Sequence, residues 1–150
     1  MQFVDLLKKG QLKKEETSKT KVAEFLQFAE EEISAAKFNL RKFPLTAYKS
    51  AYDGLIHAGN ALMRFYGFRP TTKYTHATIM EFVDRILGKD YGHLVRTFKR
   101  MRRKRHPLQY EAHFIESKEE VKNSIERADE LVRKIEEHMK IAPSQKSLRI

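Results

Sequence analysis

The chain has 150 residues, which suits one domain around one core, and its 30 Lys and Arg against 20 Asp and Glu give a formal net charge of +10. That excess favours polyanionic partners (RNA, DNA, nucleotides or an anionic membrane surface) without choosing among them. There is no cysteine, which excludes disulfides, thiolate zinc sites and cysteine nucleophiles.

No apolar stretch is long enough to span a bilayer, so no membrane partner is expected. The opening "MQFVDLLKKGQLKKEE" has no apolar core of signal-peptide length, and a cytoplasmic location is the expectation. Residues Phe3 to Leu7 suit a short helix. "KKGQLKKEETSKTK" is polar enough for a mobile linker, so residues 1–20 read as a short helix and linker.

From Val22 the apolar residues Leu26, Ala29, Ile33, Ala36, Leu40 and Phe43 step by four and three, which is one face of a long helix. Thr17, Ser18 or Thr20 is placed to cap its start, and Pro44 ends it. A second long helix follows with Thr46 as its expected N-cap. Its apolar face holds Tyr48, Ala51, Tyr52, Leu55, Gly59, Leu62, Met63 and Tyr66, and Gly67 stops it. "GFRPTTKY" reads as a loop. A shorter helix carries Ile79, Phe82, Val83, Ile86 and Leu87 and breaks at Gly88. The next starts near Asp90 and runs until Pro107 interrupts it. Ser117 and Glu120 form a capping-box pattern that opens a last long helix, with Val121, Ile125, Ala128, Val132, Ile135 and Met139 inward. The tail 142–150 is expected to fray. No strand pattern stands out, so the fold class is all-α, an up-and-down antiparallel bundle of four to six helices in a single domain over 1–150.

Seven of the eleven residues from Arg96 to His106 are Lys or Arg. Such a run suits a solvated helix face, a nucleic-acid patch, or a helix end with one or two functional arginines among incidental ones. At about 100° per residue, Leu94, Val95, Phe98 and Met101 fall on one side, Arg105 continues that stripe, and Arg102 lies at its edge. Arg96, Lys99, Arg100, Arg103 and Lys104 fall to the flank or the back. An inward arginine must meet an acidic group, a carbonyl or an anionic ligand, because an unpaired buried charge is very costly.

Asp53, His57, Asn60 and Arg64 step by four, three and four along the second long helix. They make either a solvated face with i,i+4 pairing or a polar wall lining a cleft. No His-Glu-x-x-His, no di-iron Glu-x-x-His and no phosphate-loop glycine cluster occurs, so no metal site and no cofactor are expected.

The stretch "SAYDGLIHAGNALMRFYGFRPTTKYTHATI", Ser50 to Ile79, resembles the helix-loop-helix of HEPN domains (higher eukaryotes and prokaryotes nucleotide-binding). The positions that carry the likeness are Ser50, Tyr52, His57, Ala58, Ala61, Leu62, Gly67, Pro70, Thr75 and His76. The family signature is an Arg, then usually a polar residue such as Asn, then four to six residues on a His or in some branches a Tyr. "RHPLQYE" is similar to the tyrosine version, with Arg105, His106 and Tyr110. The resemblance spans Val22 to Met139 and implies a helical bundle that acts as a homodimer on RNA or a nucleotide.

In members that are ribonucleases, the Arg and His meet across the dimer cleft, assist attack of a ribose 2′-hydroxyl and stabilise the phosphorane charge without a metal. Here His106 stands where Asn is common and Tyr110 where those members have His. A tyrosine with an ordinary pKa near 10 is a poor base at neutral pH but can donate a hydrogen bond to phosphate. Whether the chain is an enzyme is thus left open, and anion or nucleotide binding is the better supported expectation. The expected ligand site is Arg102, Arg105, His106 and Tyr110, with Arg105 and Tyr110 the catalytic pair if there is one, and Asp53, His57 and Asn60 in second rank. A toxin-type endoribonuclease and a non-catalytic partner of a small nucleotidyltransferase are the alternatives.

Overall fold

A computed structural model describes the backbone of residues 2–108 and 117–141, and side chains for 2–104 and 117–140. The element order is α1 (Val4–Lys8), β1 (Leu12–Lys14), α2 (Lys19–Asn39), α3 (Pro44–Phe65), β2 (Phe68–Pro70), α4 (Thr75–Leu87), α5 (Gly92–Leu108) and α6 (Lys118–Ile141). The fold is all-α, with one small two-stranded sheet.

Each long helix starts where its local chemistry allows. The Ser18 hydroxyl accepts from the Lys21 amide at 3.2 Å, and Ser117 accepts from the Glu120 amide at 3.1 Å. Each cap satisfies a donor that the first turn leaves open. Thr46 does not cap α3. Pro44 occupies the first turn, where its missing amide costs nothing, and Phe43 is the N-cap. α2 stops at Asn39, so the inward series does not reach Phe43, which is 58% exposed.

α2 and α3 form a tight antiparallel hairpin, and α3 is the central element, packed also on α4, α5 and α6. The four long helices alternate in direction. Arg100 meets Ser124 while Lys134 lies over the Tyr91 ring, so α5 and α6 are antiparallel. Lys37 and Asp129 pair, and Leu40 shares a groove with Lys122, so α2 and α6 are antiparallel as well. Tyr66, at the end of α3, bonds His138 near the end of α6, so those two run the same way. Consequently the α2–α3 turn, the C-terminus of α5 and the N-terminus of α6 share one end of the bundle.

The core takes Ile33 and Ala36 from α2, the Tyr48–Met63 face of α3, Ile79, Phe82 and Val83 from α4, Phe98 and Met101 from α5, and Val121 to Ile135 from α6. Gly59 makes the α3–α4 approach possible: a Cβ there would sit 2.4 Å from Ile79 Cγ2. Gly67, at φ 84, turns the chain out of α3 in a conformation that side chains resist.

Two expectations near the N-terminus are corrected. Within the supposed linker, Leu12–Lys14 is a strand, and within the supposed loop Phe68–Pro70 is its antiparallel partner, with Leu12 opposite Pro70. The segment is fastened by burial of Phe3, Leu6 and Leu12 in the common core and by Phe3 stacking on Phe82 at 4.2 Å. Arg85 adds a two-pronged bond to Asp5, at 2.7 Å on each prong. Three-residue strands are too short for an alternating pattern to show in sequence.

Candidate nucleic-acid interface

α5 is wedged between α3, α4 and α6. Leu94, Val95, Phe98 and Met101 are buried, as the stripe predicts. The cations divide differently from expectation. Arg100 is half-buried and turned toward α6: its Nη2 donates to Ser124 Oγ at 2.7 Å, and its Nε is buried without a partner among the described residues. A single-stripe reading allows one buried face, whereas a wedged helix is covered over a wider arc. Lys99 reaches Asp84 on α4 at 2.7 Å. Arg96 and Arg103 are exposed, and Arg102 and Lys104 are half-buried.

The helix also runs further than expected, through Pro107 to Leu108. Pro107 has no amide proton, so the helical bond it cannot make is to the Arg103 carbonyl. The backbones of Arg105 and His106 thus belong to α5. Their side chains, and Tyr110 as a whole, lie outside the described residues.

Charges at this end are unevenly neutralised. Lys99 on α5 meets a carboxylate, as do Lys37, Arg64, Arg85 and Arg133 on other helices. Arg102, Arg103 and Lys104 meet none among the described residues. The acidic first turn of α6, Glu119 and Glu120, suits its own helix dipole.

The polar stripe of α3 lies on another side. His57 Nδ1 is 2.9 Å from Glu32 Oε2 on α2, and its ring packs against Phe25 and Phe28. That hydrogen bond raises the His57 pKa against the opposing effect of burial, with the Glu32 and Asp53 charges adding to it. Asn60 accepts from Arg64 Nε at 3.1 Å, and Arg64 pairs with Glu15 beside β1. The structure thus puts His57, Asn60 and Arg64 in the α2–α3 seam and does not bring them to α5, which meets α3 through Tyr52 and Phe98, 6.0 Å apart. Among the described residues no three His, Asp or Glu gather as a metal would require. No helix is long and apolar enough to cross a membrane among the described residues.

Ser124 and Glu32 are the residues that sequence reasoning passed over. Ser124 had a signal: it lies three residues after Val121 on the buried arc, where a hydroxyl needs a partner. Glu32 had none, because its partner is 25 residues away.

No curated protein matches the chain. The HEPN domain profile matches residues 22–138, from the first turn of α2 almost to the end of α6, leaving α1 and β1 outside. With more than half of its length matched, the chain belongs to the HEPN domain family.

Proposed function

We propose that the chain binds RNA or nucleotide phosphates at the C-terminal end of α5, through Arg102, Arg105, His106 and Tyr110, at a cleft formed by two copies. The family has a nucleotide- or RNA-related role. The observation that supports the reading is the density of cations at the end of α5, where Arg102, Arg103 and Lys104 are consecutive and meet no carboxylate among the described residues. A guanidinium offers a fork that fits phosphate oxygens, and several together give salt-sensitive binding. Treating 1–150 as one unit is supported by Phe3, Leu6 and Leu12 sharing the bundle core.

The test is titration of a labelled single-stranded RNA at several salt concentrations, with the same RNA incubated in EDTA and run on a denaturing gel. Intact RNA and a steep salt dependence support binding without cleavage. Cleavage in EDTA that Arg105→Ala abolishes would instead make the site a metal-independent ribonuclease. Light scattering at twice the chain mass is the expected result for the shared cleft.

A further inference from the structure

We propose that the α2–α3 hairpin end is a second binding surface for single-stranded RNA, with Phe38 and Phe43 stacking on bases and Arg41 and Lys42 holding the phosphates beside them. The proposal rests on the RNA-binding reading of α5 and extends it to a different part of the chain.

The hairpin end, "FNLRKFP", stands out for exposed phenylalanines set beside two cations. Phe38 is 88% exposed and Phe43 58%, on a protein that buries Phe3, Phe65, Phe68, Phe82 and Phe98. Arg41 and Lys42 are exposed, and neither meets a carboxylate among the described residues. The turn that presents them is held from within. The Phe43 amide donates to the Asn39 carbonyl at 2.7 Å, and Asn39 Nδ2 donates to the Ala35 carbonyl at 2.9 Å. Exposed aromatic rings beside cations are what single-strand binders use: bases stack on the rings, and the charges follow the backbone.

Placement favours RNA over the rivals. Leu40 lines a groove of about 690 Å³ with Lys122, and Ser124, two residues along α6, holds Arg100. α2 and α5 therefore flank the same turn of α6, and two interaxial spacings put them roughly 16–20 Å apart. One short strand can touch the end of α5 and the hairpin together. The groove beside Leu40 carries carboxylates as well as cations, Glu126, Asp129 and Glu130 among Lys37 and Lys122, so the surface next to the hairpin is of mixed charge rather than the uniformly basic face an anionic bilayer favours.

The experiment compares wild type with F38A/F43A on two probes, a short oligouridine and an oligomer of the same length with abasic riboses. Wild type should prefer the base-bearing probe. The double variant should bind it on the order of tenfold more weakly and show no preference. Its thermal melt should be unchanged, because both rings are exposed. R41A/K42A should keep the preference and lower the salt slope by up to about 0.7 for each phosphate no longer held.

Equal binding of oligouridine by wild type and F38A/F43A overturns the hairpin proposal while leaving the α5 reading intact. Wild type binding neither probe overturns both. F38A/F43A losing only sedimentation with phosphatidylserine vesicles assigns the surface to a membrane. F38A/F43A halving the mass in light scattering, with base preference kept, makes it a self-interface.

Discussion

Arg100 Nη2 donates to Ser124 Oγ at 2.7 Å, tying the later turns of α5 to the second turn of α6. Ser124 is fully buried, and Arg100 is a cation held within the packing of a helix that leaves Arg96 and Arg103 exposed. Arg100→Ala should leave the Ser124 hydroxyl without its partner and cost about 1–3 kcal/mol. Arg103→Ala, at an exposed site, should stay within about 0.5 kcal/mol. Urea denaturation of the two variants gives the comparison. Equal midpoints would mean that Arg100 contributes nothing to the bundle.

The His57–Glu32 pair should make stability depend on pH. The native His57 pKa is raised, chiefly by the hydrogen bond to Glu32. The native state therefore holds the proton more tightly than the unfolded chain. The stabilisation is complete below the unfolded value of about 6.5 and is lost as pH rises through the higher native value. Both side chains are about a third exposed (31% and 29%), so the effect is on the order of 0.5–1 kcal/mol. The melting difference between wild type and Glu32→Gln should be constant below about pH 6.5 and shrink as pH rises above it. A difference that grows with pH would reverse the assignment.

His138 should behave in the opposite sense. Burial lowers its pKa, and its Nε2 is 2.6 Å from the Tyr66 hydroxyl. Its neutral form is favoured in the fold, so stability is present above about pH 6.5 and is lost as pH falls. Tyr66→Phe should cost about 0.5–1.5 kcal/mol at neutral pH. Thermal melts from pH 5 to 8 of His138→Gln against wild type would show the crossing trend.

Gly59→Ala sets two effects against each other. Alanine gains up to about 1 kcal/mol of helix propensity over glycine. Its Cβ, however, would lie 2.4 Å from Ile79 Cγ2 and 3.1 Å from Val83 Cγ2, both in the buried α3–α4 seam. Overpacking at such a site costs about 1–3 kcal/mol, so the net change should be destabilising. A raised melting temperature would mean that α4 can move away freely.

Much of the bundle was legible because its signal repeats. Ile33 and Ala36 on α2, and Val121, Ile125, Ala128, Val132 and Ile135 on α6, are buried where a 3.6-residue period puts them. Extrapolation failed where the period had ended, as at Phe43, and where no period could form, as in β1 and β2. Arg100 was misplaced because its burial depends on a third neighbour, α6, that a helical wheel does not contain. Asp53, His57 and Asn60 were read as a polar stripe, either a solvated face or a cleft wall, and His57 and Asn60 have partners at Glu32 and Arg64. The partner Glu32, which ties His57 to α2, is a tertiary fact. Arg105 and Tyr110 were reached through family resemblance, and their side chains lie outside the described residues.

The most direct test of the phosphate site is the affinity of Arg105→Lys for single-stranded RNA, set beside Arg100→Ala. Lysine keeps the charge at residue 105 but loses the two-pronged grip on phosphate. The account predicts a clear loss for Arg105→Lys, a smaller loss for Tyr110→Phe, and near wild-type affinity for Arg100→Ala once its lower stability is allowed for. Wild-type affinity in Arg105→Lys together with abolished binding in Arg100→Ala would contradict it, and would move the site from the end of α5 to the α5–α6 seam.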